Sequence, residues 1–228
     1  MNFLAPFKFY RGEPRTLTIQ VALHPQGDRL VAECRLTGSR QLPNQAEPQV
    51  TTHFTARVRL ARQPREAAIA RAPGVPEGPV VAAADIYRVY FHGPAYQVVE
   101  RAWLDRERVA GQMAHPLPDN HHPPERPLLM APRLLELCLQ TAGLWEISTQ
   151  GRMALPRQIR RVAPGRSPAL VEGPLYAVVT PNPDRETFDA EVVDAAGNVY
   201  ARIAGYGTVA LPNAVDAEPF RALHAVMV

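Results

Sequence analysis

Lysine is almost missing from this 228-residue chain: Lys8 is the only one, although Lys and Arg together number 25 against 22 Asp and Glu, a net charge of +3. Basic residues are not interleaved with stacking aromatics anywhere, so the sequence excludes a nucleic-acid surface, and the adjacent Arg160 and Arg161 read as a solvated strand edge. Cysteine is as scarce. Cys34 and Cys138 stand far apart in apolar contexts with no His or Cys at ligand spacing, which argues against a disulfide framework and a zinc site. Apolar runs are broken by Arg, Glu or Pro well before membrane-spanning length, and MNFLAPFKFYRGEP lacks the pattern of a signal peptide. A protein in the reducing cytoplasm, with no membrane partner, is the expectation.

What the chain does have is strand alternation. Leu17, Ile19, Val21 and Leu23 alternate with polar or small residues, and after the turn at Pro25-Gln26-Gly27-Asp28 so do Leu30, Ala32, Cys34 and Leu36. A third strand through Phe54, Ala56, Val58 and Leu60 places Thr55, Arg57 and Arg59 on the other face. One face of this sheet is therefore apolar, and no amphipathic helix lies nearby to cover it. Residues 64–80 are rich in Pro and Gly and read as a linker. Strand-like alternation continues through Tyr87–Tyr90, 98–104 and 109–114, and HPLPDNHHPPERP forms an irregular loop.

One long helix is predicted, starting near Pro132 and running through LLELCLQTAGLWEIS. Leu134, Leu137, Cys138 and Thr141 share one stripe of it, while Glu136 and Gln140, four apart, share another. Strands follow over 153–162, 169–179, 187–193 and 199–209, the last two joined by the turn DAAGN, in which Asp194 and Asn198 are assigned no chemistry. Strands, linker, strands, one helix and more strands make an α+β pattern in which a sheet wraps a helix.

Four segments, in order, resemble the dehydratase domains of modular polyketide synthases and polyunsaturated fatty acid synthases. HGPAYQ at 92–97 resembles the turn that opens that family's second hotdog, and APRLLELCLQTAGLW at 131–145 its helix. ALPRQIRRV at 154–162 is similar to the Leu-Pro strand lining the pocket, and EVVDAAGNVYARIAGYGTV at 191–209 to the closing hairpin. The resemblance implies a double hotdog. Residues 1–63 would be a first hotdog present as strands only, 64–80 the linker, 81–212 the second hotdog with its sheet around the long helix, and 213–228 a tail.

It also implies a chemistry. A His in a His-x-x-x-Gly-x-x-x-x-Pro motif removes the α-proton of a 3-hydroxyacyl thioester, and the helix carboxylate helps the hydroxyl leave as water; no metal or organic cofactor is implied. The implied partners are an acyl carrier protein with a phosphopantetheine-bound acyl chain and the other synthase domains, and a homodimer is open. Glu136 and Gln140 are the implied catalytic pair, and His92, Gly93, Pro94, Tyr96, Leu155 and Pro156 are the implied substrate-binding residues. A Glu buried in this way would have a raised pKa through desolvation.

The sequence also departs from the pattern. None of His24, His53, His92, His115, His121, His122 and His224 has Gly four residues later and Pro five beyond, so the base and the first hotdog helix are expected to be absent. Such a chain would not dehydrate efficiently alone, and is either a fragment of a longer synthase or a standalone remnant. Glu136 stands where the family has Asp, and Ala131 where a His commonly precedes the helix Pro. On the residues alone, Glu136 and Gln140 also fit the polar face of a surface helix, His92 a turn histidine bonded to backbone, His121 and His122 solvated loop positions, and Cys138 the core. A non-catalytic acyl-binding or scaffold module and a hotdog thioesterase are the competing functions.

Overall fold

The computed structural model describes every residue except 9–14, 42–43, 63–67, 127, 129, 172, 184–185 and 213–228. The proposed tail, and the start of the segment read as a linker, therefore lie outside the described residues. The chain forms two units, one of Met1–Arg65 with Arg157–Ile159, the other of Glu66–Pro156 with Arg160–Val228.

The first unit contains β1 (Asn2–Phe3), β2 (Leu17–Gln26), β3 (Arg29–Arg40) and β4 (Gln49–Leu60), ordered β2-β3-β4-β1 and paired antiparallel. Gly27, at φ +63°, closes the β2–β3 hairpin in a conformation that glycine tolerates best. The register sets Val21 opposite Cys34 and Cys34 opposite Ala56, so the alternating apolar residues of three strands share one face. On that face Ile19 is 71% exposed and Leu17, Val21, Leu23, Val58 and Leu60 are exposed as well, while Ala32 is buried and Cys34, Leu36, Phe54 and Ala56 are half-buried.

The second unit contains β5 (Val81–Ala82), α1 (Ala83–Val89), β6 (Val99–Asp105), β7 (Arg108–Met113), α2 (Pro132–Gln150), most of β8 (Ala154–Pro164), β9 (Tyr176–Pro181), β10 (Thr187–Val193) and β11 (Val199–Ala210). The sheet order is β8-β11-β10-β9-β7-β6-β5. The helix α2 begins with Pro at its first turn and ends at Gly151, whose left-handed φ of 63° suits a C-terminal cap. Its stripe of Leu134, Leu137, Cys138 and Thr141 is buried against β7, β9, β10 and β11. Close approach requires Gly111 on β7, because a Cβ there would lie 2.2 Å from Thr141 Oγ1. Trp145 meets Phe188 edge-on at 5.5 Å and extends this core toward the helix C-terminus.

Three details differ from the sequence reading. Residues 83–89 are helical, because Ile86 and Tyr90, four apart, both bury toward the unit interior. Residues 168–170 form a 3-10 turn opened by Pro168, so β9 starts only at Tyr176. Finally, Ala68, Ala70 and Ala72, in the segment read as a linker, pack on Val178, Val193 and Val199, and Ala70 N–H donates to Gly197 O at 2.8 Å. Small side chains allow that strip of backbone to lie flat on the unit.

The DAAGN turn is held by its first residue. Asp194 accepts from the backbone N–H of Ala196 and Asn198, both at 2.9 Å, from Asn198 Nδ2 at 2.7 Å and from Tyr200 OH at 3.0 Å. Burial alone would raise its pKa, but these donors outweigh it and hold the carboxyl below its usual range.

Candidate active site

The opening motif and α2 meet through one hydrogen-bond network. Tyr96 N–H donates to Gly93 O at 2.9 Å and Pro94 heads the 3-10 turn Pro94–Tyr96. Gly93 has φ −71°, so its backbone does not require glycine; Pro94, with its fixed φ, shapes the turn. Gln97 Nε2 ties the turn back by donating to His92 O at 3.0 Å. Arg133, in the first turn of α2, donates Nε–H to Ala95 O at 3.0 Å and also reaches Pro118 O, fastening the turn and the loop to the helix.

Glu136 and Gln140 are neighbours on α2 by their four-residue spacing, and Gln140 Nε2 donates to Glu136 Oε1 at 2.9 Å. The second amide hydrogen goes to Tyr96 O at 2.8 Å. Gln140 Oε1 accepts from Tyr87 OH at 2.8 Å, and that hydroxyl oxygen in turn accepts from Val99 N–H at 2.7 Å. The amide orientation follows: a flipped Gln140 would set its oxygen against a carbonyl and a carboxylate. Tyr90 OH adds a bond to Gln140 O at 2.8 Å. Burial, only partly offset by the Val99 N–H and reinforced by the Glu136 charge, raises the pKa of Tyr87, so it serves as a donor and not as a phenolate.

His92 completes the cluster. Its Nε2 lies 3.0 Å from Glu136 Oε1, whereas the sequence reading offered a backbone-bonded turn histidine. Its ring stacks on Phe91 with centroids 5.1 Å apart and meets Tyr90 edge-on at 5.5 Å. Glu136 keeps 23% of its side chain exposed. Oε1 accepts from Gln140 and lies against His92 Nε2; Oε2 has no partner among the described residues.

The desolvated carboxyl of α2 is Glu146. Burial pushes its pKa up, while Thr208 Oγ1, donating at 2.7 Å, and Arg152, at 3.4 Å, act in the opposite direction. Of the other sequence candidates, Leu155 and Pro156 are half-buried in β8 and make no hydrogen bond to the cluster among the described residues. His121 is bonded within its own loop, to Asn120 Oδ1 at 2.9 Å and Arg126 O at 2.7 Å. Cys138 is buried, and burial drives its thiol pKa well up, as befits a core position.

Sequence reasoning missed Tyr87, Tyr90 and Arg133. Tyr87 and Tyr90 lie in and just after a helix it did not assign, and Arg133 carried only the weak signal of a basic residue beside the helix Pro. No helix among the described residues is long and apolar enough to cross a membrane.

A family profile for the polyketide synthase dehydratase N-terminal domain matches residues 60–218. No curated protein matches the sequence. Among solved structures, the dehydratase domain from the CurF module of curacin polyketide synthase superposes with TM-score 0.65 at 16% identity, covering 92% of this chain and 74% of that one. A dehydratase studied for substrate selection in the borrelidin and fluvirucin polyketide synthases gives 0.66 at 21% identity, covering 94% and 73%. A trans-AT polyketide synthase dehydratase domain from Brevibacillus brevis gives 0.62 at 15% identity, covering 85% and 69%. These likenesses carry the fold, a hotdog-like dehydratase sheet with one long helix, and the profile match carries the family: the chain belongs to the polyketide synthase dehydratases.

Proposed function

We propose that this chain is a dehydratase-like domain of a polyketide or polyunsaturated fatty acid synthase that acts on or binds 3-hydroxyacyl groups carried by an acyl carrier protein in the cytoplasm. The observation that carries this reading is the state of Glu136. Gln140 Nε2 donates to Oε1 and His92 Nε2 lies 3.0 Å from the same oxygen, which leaves Oε2 as the oxygen open to a ligand. In dehydration a base takes the α-proton, the electron pair becomes the C=C bond, and the C3–O bond breaks. The departing hydroxyl takes the Oε2 proton and leaves as water. Leu155, Pro156, Tyr96 and the 92–94 turn border the acyl chain in this reading.

The base is the weak half. No histidine of the chain carries the family's base motif, and His92 spends Nε2 on Glu136 while its Nδ1 is buried. That observation favours a second reading, in which this chain binds acyl groups or organises a synthase without turning them over. Incubation with a 3-hydroxyacyl carrier protein, followed by intact mass, separates the readings. Loss of water by this chain supports dehydration, loss of the acyl group a thioesterase, and an unchanged but bound carrier the binding module. Fast dehydration abolished by His92→Ala would overturn the assignment of His92 as anything but the base.

A further inference from the structure

We propose that the Tyr96 hydroxyl, oriented by Asn120, donates a hydrogen bond to an oxygen of the bound acyl thioester, either its carbonyl or a hydroxyl. The acyl ligand rests on the reading above; the free hydroxyl hydrogen and its orientation by the 115–126 loop do not.

Tyr96 is fixed at its backbone. Its N–H donates to Gly93 O at 2.9 Å and its carbonyl accepts from Gln140 Nε2 at 2.8 Å, so the ring moves only about its own side-chain torsions. The same Gln140 nitrogen donates to Glu136 Oε1 at 2.9 Å, which brings Tyr96 and the carboxyl to one site. At the far end of the ring Asn120 Nδ2 donates to the hydroxyl oxygen at 3.3 Å. A phenol that accepts one bond still has its own hydrogen to give, and no acceptor for it lies among the described residues.

As a structural bond, the Asn120 contact explains little. It is longer than the roughly 3.2 Å that bounds an ordinary N–H···O bond, and Tyr96 is half-buried, so its hydroxyl gives up water for a weak partner. Phenylalanine would keep the ring and have nothing polar to desolvate. Asn120 itself is firmly held. Its Oδ1 lies 2.9 Å from His121 Nδ1, His121 Nε2 lies 2.7 Å from Arg126 O, and Arg133 on α2 reaches Pro118 O. A weak bond from a fixed partner aims the hydroxyl without taking its hydrogen. Asn120 is therefore a positioning residue that acts through Tyr96, and the hydroxyl is the group that meets the ligand.

The test is binding and needs no turnover. Titration calorimetry compares 3-hydroxyoctanoyl-pantetheine with octanoyl-pantetheine. Tyr96→Phe should weaken the hydroxyacyl thioester about 2- to 10-fold, the range of one neutral hydrogen bond, with little change in melting temperature. Asn120→Ala should weaken it in the parent chain and have no further effect in the Tyr96→Phe background, a coupling that a merely structural loop residue would not show. An equal loss for octanoyl-pantetheine assigns the bond to the thioester carbonyl; a loss confined to the hydroxyacyl compound assigns it to the hydroxyl. Should Asn120→Ala fold poorly, Tyr96→Phe alone decides. Thioesters that bind the parent and Tyr96→Phe equally well overturn the proposal and leave the acyl-binding reading standing. A parent chain that binds neither thioester overturns both.

Discussion

Replacing Gln140 by Leu tests the connection between the opening motif and α2 most directly. Gln140 is 3% exposed, and its side chain makes three hydrogen bonds, to Tyr87 OH, Tyr96 O and Glu136 Oε1. Leucine fills nearly the same volume, so the loss is polar. Tyr87 OH would still accept from Val99 N–H but would have nothing to donate to, an orphan in a half-buried position costing about 1–3 kcal/mol. Tyr96 O and Glu136 are only partly covered and can turn to water, each losing roughly 0.5–1.5 kcal/mol. The added apolar burial offsets some of this. A net loss of about 2–4 kcal/mol follows, or roughly 4–16 °C in melting temperature for a chain of this size. Urea unfolding and calorimetry of Gln140→Leu, Tyr87→Phe and the double variant measure it. Tyr87→Phe already removes the donor that Gln140→Leu orphans, so the double variant should cost about 1 kcal/mol less than the sum. A loss under about 0.5 kcal/mol for Gln140→Leu, with strict additivity, would refute the network and with it the placement of the Glu136 carboxylate.

Two other groups on α2 give independent checks. Burial raises the pKa of Glu146, so the folded state holds a proton that the unfolded chain releases near the ordinary value of about 4.3, and stability falls as pH rises from there through the folded pKa. Glu146→Gln keeps an acceptor for Thr208 and should flatten that decline, leaving the variant at least as stable as the parent at pH 8 by thermal melting; a variant less stable at pH 8 would contradict the assignment. Cys138 is buried with its thiol pKa driven up, whereas Cys34 is half-buried, so a disulfide reagent should label Cys34 first and Cys138 only in denaturant. Equal rates in the native protein would mean that α2 does not bury its apolar stripe.

Much of the architecture was legible in the chain because it is local. Alternation at Leu17, Ile19, Val21 and Leu23 marks a strand whatever lies beyond it, and Pro132 with a four-residue apolar repeat marks a helix. The same spacing put Glu136 and Gln140 side by side, since helical neighbours are a matter of 3.6 residues per turn.

What the tertiary structure decided is everything that depends on residues distant in sequence. The 43 positions between His92 and Glu136 contain no pattern that says an imidazole will meet a carboxylate; that contact exists because the Pro94 turn is fastened to α2 by Arg133 and Gln140. Helix α1 escaped notice because seven residues carry too little periodicity to outweigh their strand-like neighbours. Which carboxyl of α2 is desolvated was also beyond the sequence. Glu136 and Glu146 are both acids on one helix, and only the sheet and the strand bearing Thr208 leave the first half-open and enclose the second. Composition and periodicity determined the elements and the chemical inventory; long-range packing determined which of those groups share a site, because burial and hydrogen-bond partners belong to the folded chain and not to any segment of it.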